Sequence, residues 1–129
     1  MSDPRIILFL DDSPERAAIT FQRWPDAKRE RTVWTETAAQ AIDCIDKLRG
    51  RIEEAHLDHD LGGMKIQHSG AENCGMSVVR FMEKMNADEL KEFDHTIFVV
   101  HSWNIPANQS MTKRLKELGL RVISRPFGN

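Results

Sequence analysis

Leu57-Asp58-His59-Asp60-Leu61-Gly62-Gly63 is the stretch whose reading decides the fold. Asp58, His59 and Asp60 follow one another where an apolar segment reads as a strand end, and the glycine pair lets the backbone turn away with no side chain in the gap. In an extended segment, side chains at i and i+2 project to the same side, so Asp58 and Asp60 are expected on one face and His59 on the other. Taken alone, the pattern equally suits a polar turn in which aspartates cap backbone amides. A second acidic pair, Asp11-Asp12, follows another apolar run and shifts the balance towards a cation site.

Working outward, residues 5–10 (Arg-Ile-Ile-Leu-Phe-Leu) are almost wholly apolar and rich in β-formers, the signature of a central strand covered on both faces. Ser13-Pro14-Glu15-Arg16 then supplies an N-cap hydroxyl, a proline at the first helical position and an early acid. A helix is expected from Pro14 to Phe21 or Trp24, stopped by Pro25. Residues 27–31 read as a charged surface loop and residues 31–35 as a modest strand. Ala38, Ala41, Ile42, Ile45 and Leu48 recur at helical spacing within residues 36–48, and Gly50 ends that helix.

A third strand is expected over residues 53–58. Residues 61–75, with Gly62, Gly63, Gly70 and Gly75 and no periodicity, read as a long mobile loop beside the acidic cluster. Residues 77–85 are helical by period, with methionines as core filling. Residues 96–100 form a buried strand leading into His101-Ser102-Trp103-Asn104. Ile105-Pro106 opens a helix to Leu118, Gly119 caps it, and residues 120–124 form a last strand before Arg125-Pro126-Phe127.

The chain of 129 residues can bury a core and is expected to form a single domain over residues 1–129. A formal net charge of −2 provides no global field for a nucleic-acid backbone, while leaving room for a local phosphate site. The first apolar run is too short for a signal sequence or membrane span, so a cytoplasmic protein without membrane attachment is expected. Cys44 and Cys74 have neither metal-finger spacing nor a disulfide framework and read as free thiols.

Alternating strands and helices predict an α/β fold, a doubly wound parallel sheet with helices on both faces. The carboxyl ends of its strands share one edge, where ligands bind. Asp11-Asp12 closes the first strand, Asp58-His59-Asp60 the third, His101-Ser102 the fourth and Arg125 the fifth, so all are expected to border one pocket. Carboxylates gathered there need compensation, and a hard divalent cation with oxygen ligands, Mg²⁺ first, supplies it. Zinc or manganese is the weaker reading, because His56, His59 and His101 lack helical His-x-x-x-His spacing. His56 and His95 read as ordinary strand and loop residues, and His68 matters only if its loop folds over the pocket. Trp103 either stacks on a base or closes the end of the sheet.

Asp11-Asp12, Asp58-x-Asp60-Leu61-Gly62, Ser102 after a polar residue, and a basic residue before Pro126-Phe127 together resemble the receiver domain of two-component response regulators, over nearly the whole chain. The resemblance implies a flavodoxin-like, receiver-like five-stranded parallel sheet of order 2-1-3-4-5, here lacking the C-terminal helix. It implies Asp11 and Asp12 as the acidic metal pair, Asp58 as phospho-acceptor, and Asp60 as the residue offering a backbone carbonyl to Mg²⁺. Two positions depart from the pattern: His101 stands where receivers carry a switch Thr or Ser, and Arg125 where they carry Lys. Arginine keeps the charge but changes phosphate geometry, and histidine exchanges protons near neutral pH. Gly62 also replaces the receiver proline.

Leu-Phe-Leu-Asp-Asp, Leu-Asp-His-Asp-Leu-Gly and His-Ser-x-Asn are similar to a narrower group, the cyclic-phosphate processing receiver domains. That resemblance implies a metal-dependent phosphoesterase whose partner is a small phosphorylated ligand or a cyclic-phosphate end of nucleic acid. Mg²⁺ on Asp11, Asp12 and Asp58 would act as Lewis acid, His101 and His59 as acid and base, and Arg125 as phosphate clamp, with Ser102 and Asn104 orienting the substrate. The alternatives are a stand-alone receiver phosphorylated on Asp58 by a histidine kinase, and a metal-binding scaffold without chemistry.

Overall fold

Strands form over the apolar runs at residues 6–10 and 97–100, which are largely buried, and over more polar segments beside them. The structure is a computed structural model and describes residues 5–61 and 70–125. Five strands, β1 (Ile6–Leu10), β2 (Thr32–Thr35), β3 (Ile52–Leu57), β4 (Ile97–Val100) and β5 (Arg121–Ser124), pair in parallel in the order β2-β1-β3-β4-β5. β1 lies between β2 and β3, and Ile7, Leu8, Phe9 and Leu10 are all buried. Their near-continuous apolar run is what a strand covered on both faces requires.

Among the described residues six helices connect the strands: α1 (Pro14–Arg23), α2 (Asp26–Glu30), α3 (Ala38–Lys47), α4 (Gly75–Glu83), α5 (Ala87–Lys91) and α6 (Ile105–Glu117). Leu8 and Leu10 of β1 join Ala41 and Ile45 of α3, Val79 and Met82 of α4, and Met111 and Leu115 of α6 in the main core. On the neighbouring positions of β1 a smaller aromatic cluster forms, with Phe9 at 5.2 Å from the Phe21 ring and 6.0 Å from Trp24. Alternation along the strand thus separates an aliphatic layer from an aromatic one.

Local signals mark the helix ends, and α3 begins at Ala38 rather than at residue 36. Ser13 Oγ accepts the Arg16 N–H to cap α1, with Pro14 in the first turn, and a reciprocal Thr37–Gln40 capping box opens α3. Gly50 and Gly119 have φ of 78° and 85°, the left-handed conformation that lets the chain leave α3 and α6. Cys44 and Cys74 are buried and form no disulfide.

Three local expectations need correction. Residues 26–30 are a helix, α2, rather than loop; α5 adds a second short helix; and α4 begins at Gly75 instead of Ser77. The expected loop over residues 61–75 therefore ends earlier, and its residues 62–69, with His68, lie outside the described residues, as do Pro126 and Phe127.

Candidate functional site

Parallel register assembles the site. Leu10, Leu57, Val100 and Ser124 are partners across β1, β3, β4 and β5. The next residue on each strand is Asp11, Asp58, His101 and Arg125. Backbone N–H groups continue the ladder through them: Asp58 donates to Leu10 O at 3.0 Å, His101 to Leu57 O at 3.0 Å, and Arg125 to Val100 O at 2.8 Å. One transverse row thus presents two acids, an imidazole and a guanidinium residue along the carboxyl edge.

Asp11, Asp58 and His101 are buried, and ligand atoms from the three lie within 4.8 Å of one another. His101 Nε2 is 3.1 Å from Asp11 Oδ2; a carboxylate only accepts, so Nε2 carries the proton in this contact. The imidazole lies flat on Phe9, and its Nδ1 is buried with no hydrogen-bond partner among the described residues. Asp11 also accepts the Ser13 N–H at 2.9 Å, and its carbonyl accepts the Trp34 indole N–H at 2.8 Å.

Arg16 reaches back from the first turn of α1 into this cluster. Its Nη2 donates to Asp11 Oδ1 at 2.8 Å and to Asp58 Oδ2 at 3.1 Å, its Nε donates to Asp11 Oδ2 at 2.9 Å, and Asp12 Oδ1 lies 3.5 Å from Nη2. Sequence reasoning assigned Arg16 only to a helix start. The available signal was its spacing of four residues from Asp12, the distance at which helical side chains meet.

The flanking residues form a second network. Asp60 Oδ1 is 2.8 Å from His59 Nδ1 and accepts the Asn104 side-chain N–H at 3.2 Å. The expected strand alternation stops at Leu57: Asp58 meets Arg16 while Asp60 turns to its neighbour His59, which is fully buried. Ser102 Oγ accepts the Asn104 N–H at 3.1 Å, and Asn104 Oδ1 caps α6 by accepting from Ala107 N. Trp103, between them, is 67% exposed. Arg125 follows β5 with an exposed side chain that makes no ion pair among the described residues.

Three carboxylates against one guanidinium leave the cluster negative, and the acids respond differently. Burial pushes Asp58 up to about 6, with the Asp11 charge adding to it and His101 and Arg16 opposing. Burial also acts upward on Asp11, but hydrogen bonds from His101, Arg16 and the Ser13 N–H outweigh it and hold Asp11 below its ordinary value. One ionised acid is fully supported and the second is not. Two carboxylates and an imidazole nitrogen at this spacing are the donor types of a divalent cation site, so the residues fit such an ion.

Comparison with known proteins shows the family and the fold. The sequence model of the family described as cyclic-phosphate processing receiver domain matches residues 6–117. The chain belongs to this family. Among solved structures, the receiver resembles the signal receiver domain of a Vibrio parahaemolyticus protein described as a Luxo repressor, with TM-score 0.58 and 18% identity over 98% of this chain and 82% of that one. That likeness concerns the fold. Comparison with curated proteins gave no match. Among the described residues, no helix of the receiver is long and apolar enough to cross a membrane.

Proposed function

We propose that this receiver is a metal-dependent phosphoesterase that opens a cyclic phosphate on a nucleotide or nucleic-acid end. The observation that carries the reading is the His101 Nε2 contact with Asp11 inside the Asp11, Asp58 and His101 cluster. An ordinary receiver needs a hydroxyl at that strand end, whereas an imidazole exchanges protons near neutral pH. Asp11 and Asp58 would hold Mg²⁺, with Asp12 alongside and Asp60 contributing its carbonyl. Bound there, the ion would supply Lewis-acid stabilisation of charge on the phosphoryl oxygens.

The residues of the chain supply the rest. Water adds to phosphorus, one ring P–O bond breaks, and the leaving oxygen takes a proton from Nδ1 of the doubly protonated His101 imidazole, whose Nε2–H stays on Asp11. The proton released by the water then restores His101, so the products are a hydroxyl and a phosphomonoester. Asp11 orients the imidazole through the Nε2 contact, and the Phe9 ring fixes its plane. Asn104 and Ser102 shape the loop beside it, His59 steadies Asp60, and Arg125 stands at the end of the row as a cation for the phosphate.

The second reading, a stand-alone receiver phosphorylated on Asp58 by a histidine kinase, is favoured by the position of Asp58 on the strand row beside Asp11. Incubation with Mg²⁺ and a panel of 2′,3′-cyclic nucleotides, followed by ³¹P spectroscopy, separates the readings. The phosphoesterase reading expects monoester that disappears in His101→Gln. A labile Asp58 adduct from acetyl phosphate, with no turnover of the panel, supports the signalling reading instead, and neither product leaves a scaffold.

A further inference from the structure

We infer that Arg16 is an internal stand-in for the divalent cation, and that once displaced by the ion its guanidinium becomes the group that grips the phosphoryl oxygens of the ligand. The inference rests on the cation reading of the same site and adds to it a phosphate-binding residue that the strand-end pattern does not contain. Arg16 covers both oxygens of Asp11, through Nη2 at 2.8 Å and Nε at 2.9 Å, and Oδ2 of Asp58 at 3.1 Å. The other Asp58 oxygen already accepts the His59 N–H at 2.8 Å. Asp11 and Asp58 are also the two carboxylates from which a cation would draw its ligands.

A carboxylate oxygen bound to Mg²⁺ at about 2.1 Å has no room for a guanidinium on the same side, and the two cations repel. Arg16 must therefore give way. Its side chain is 35% exposed, so a route to solvent exists, while Ser13 Oγ holds its backbone N–H at 3.2 Å. The side chain thus swings from a fixed base at the mouth of the cluster. A planar fork released there, beside a bound ion, matches two oxygens of a phosphoryl group. Without the ion, the fork is occupied by Asp11 and Asp58, so cation and phosphate are expected to bind with positive coupling.

The test uses the full chain labelled with ¹⁵N, with the Arg16 Nε–H resonance assigned from the spectrum of Arg16→Lys. Sheltered by Asp11 in the cation-free protein, that resonance is expected to shift and exchange with water at saturating Mg²⁺, and to reappear when inorganic phosphate is added. In calorimetry, Mg²⁺ should tighten phosphate binding, and Arg16→Gln should bind Mg²⁺ more tightly than the native protein while losing phosphate affinity by at least about tenfold. Arg16→Lys, which keeps the charge, should remain folded and still lose phosphate affinity. Mg²⁺ binding with an unmoved Arg16 resonance overturns this inference alone, as does native phosphate affinity in both variants. No Mg²⁺ binding at all overturns it together with the cation site.

Discussion

His101 lies flat against Phe9, with ring centroids 5.2 Å apart and planes 2° from parallel. The imidazole that meets Asp11 is therefore positioned by a core side chain of β1, which also touches Phe21 and Trp24. Phe9→Ala should cost about 3–5 kcal/mol in urea denaturation because it removes a fully packed aromatic. Phe9→Leu should cost less and serves as the functional probe. It is expected to leave divalent-cation affinity within about twofold while lowering turnover of a cyclic nucleotide roughly tenfold, since the imidazole loses its fixed plane. Equal turnover in Phe9→Leu and native protein would show that stacking does not orient the imidazole.

Two carboxylates of the β3 segment should drive stability in opposite directions with pH. His56 hydrogen-bonds Glu54, Lys28 adds to it against burial, and the Glu54 carboxyl is held down at about 2. Its contribution is complete above the ordinary carboxylate range and is lost as pH falls towards 2. Burial instead raises Asp58 to about 6, so the native state favours the protonated form, and stability falls as pH rises through 6. With divalent cations chelated, Asp58→Asn should flatten the decline between pH 5 and 7. It should also make the protein more stable at pH 8 by up to about 2 kcal/mol. Glu54→Gln should instead flatten only the acid limb. Chemical denaturation from about pH 2 to 8 checks both, and a native protein whose stability does not fall as pH rises from about 4 through 6 would contradict the Asp58 assignment.

Gly75 opens α4 against the backbone of the Asp58 strand end. A Cβ built on it would lie 2.0 Å from Asp58 O and 2.8 Å from His59 Cα, so Gly75→Ala must push apart α4 and the acid that it supports. The expected cost is about 1–3 kcal/mol, with a weakened response to Mg²⁺ in thermal denaturation. Gly50 is the control: its φ is 78°, but nothing lies within 4 Å of an added Cβ. Gly50→Ala should cost about 1–2 kcal/mol for backbone strain alone and leave the Mg²⁺ response intact. The comparison separates close approach from conformational freedom.

The sheet was legible because β1 and β4 are apolar runs buried in the core, and Ile7-Leu8-Phe9-Leu10 cannot be amphipathic in either period. Alternation with helices then gave the parallel sheet and the receiver resemblance gave its strand order, which carries Asp11, Asp58 and His101 to one edge by register. What stayed hidden depends on distances no local pattern encodes. α2 and α5 are five residues each, too short to express helical periodicity. Gly75 read as loop because its need for glycine comes from Asp58, distant in sequence. Arg16 sits in a first helical turn, where the dipole favours acids, and only its contacts with Asp11 and Asp58 explain a base there.

Asp11 and Asp12 are adjacent in sequence but unequal in the structure, and substitution should expose the difference. Asp11 is fully buried and accepts from Ser13, Arg16 and His101, whereas Asp12 touches Arg16 at 3.5 Å from a carboxylate that remains partly exposed. Removing the charge of Asp11 leaves a buried guanidinium contact and the imidazole without their shared acceptor. Asp11→Asn is therefore expected to cost about 3–5 kcal/mol and to abolish divalent-cation binding in calorimetry. Asp12→Asn should change stability by no more than about 1 kcal/mol, as exposed pairs do, and weaken the cation several-fold without abolishing it. If Asp12→Asn proved the more damaging of the two, the ion would lie on the solvent side of the cluster, and His101 would be too deep to serve the reacting phosphate.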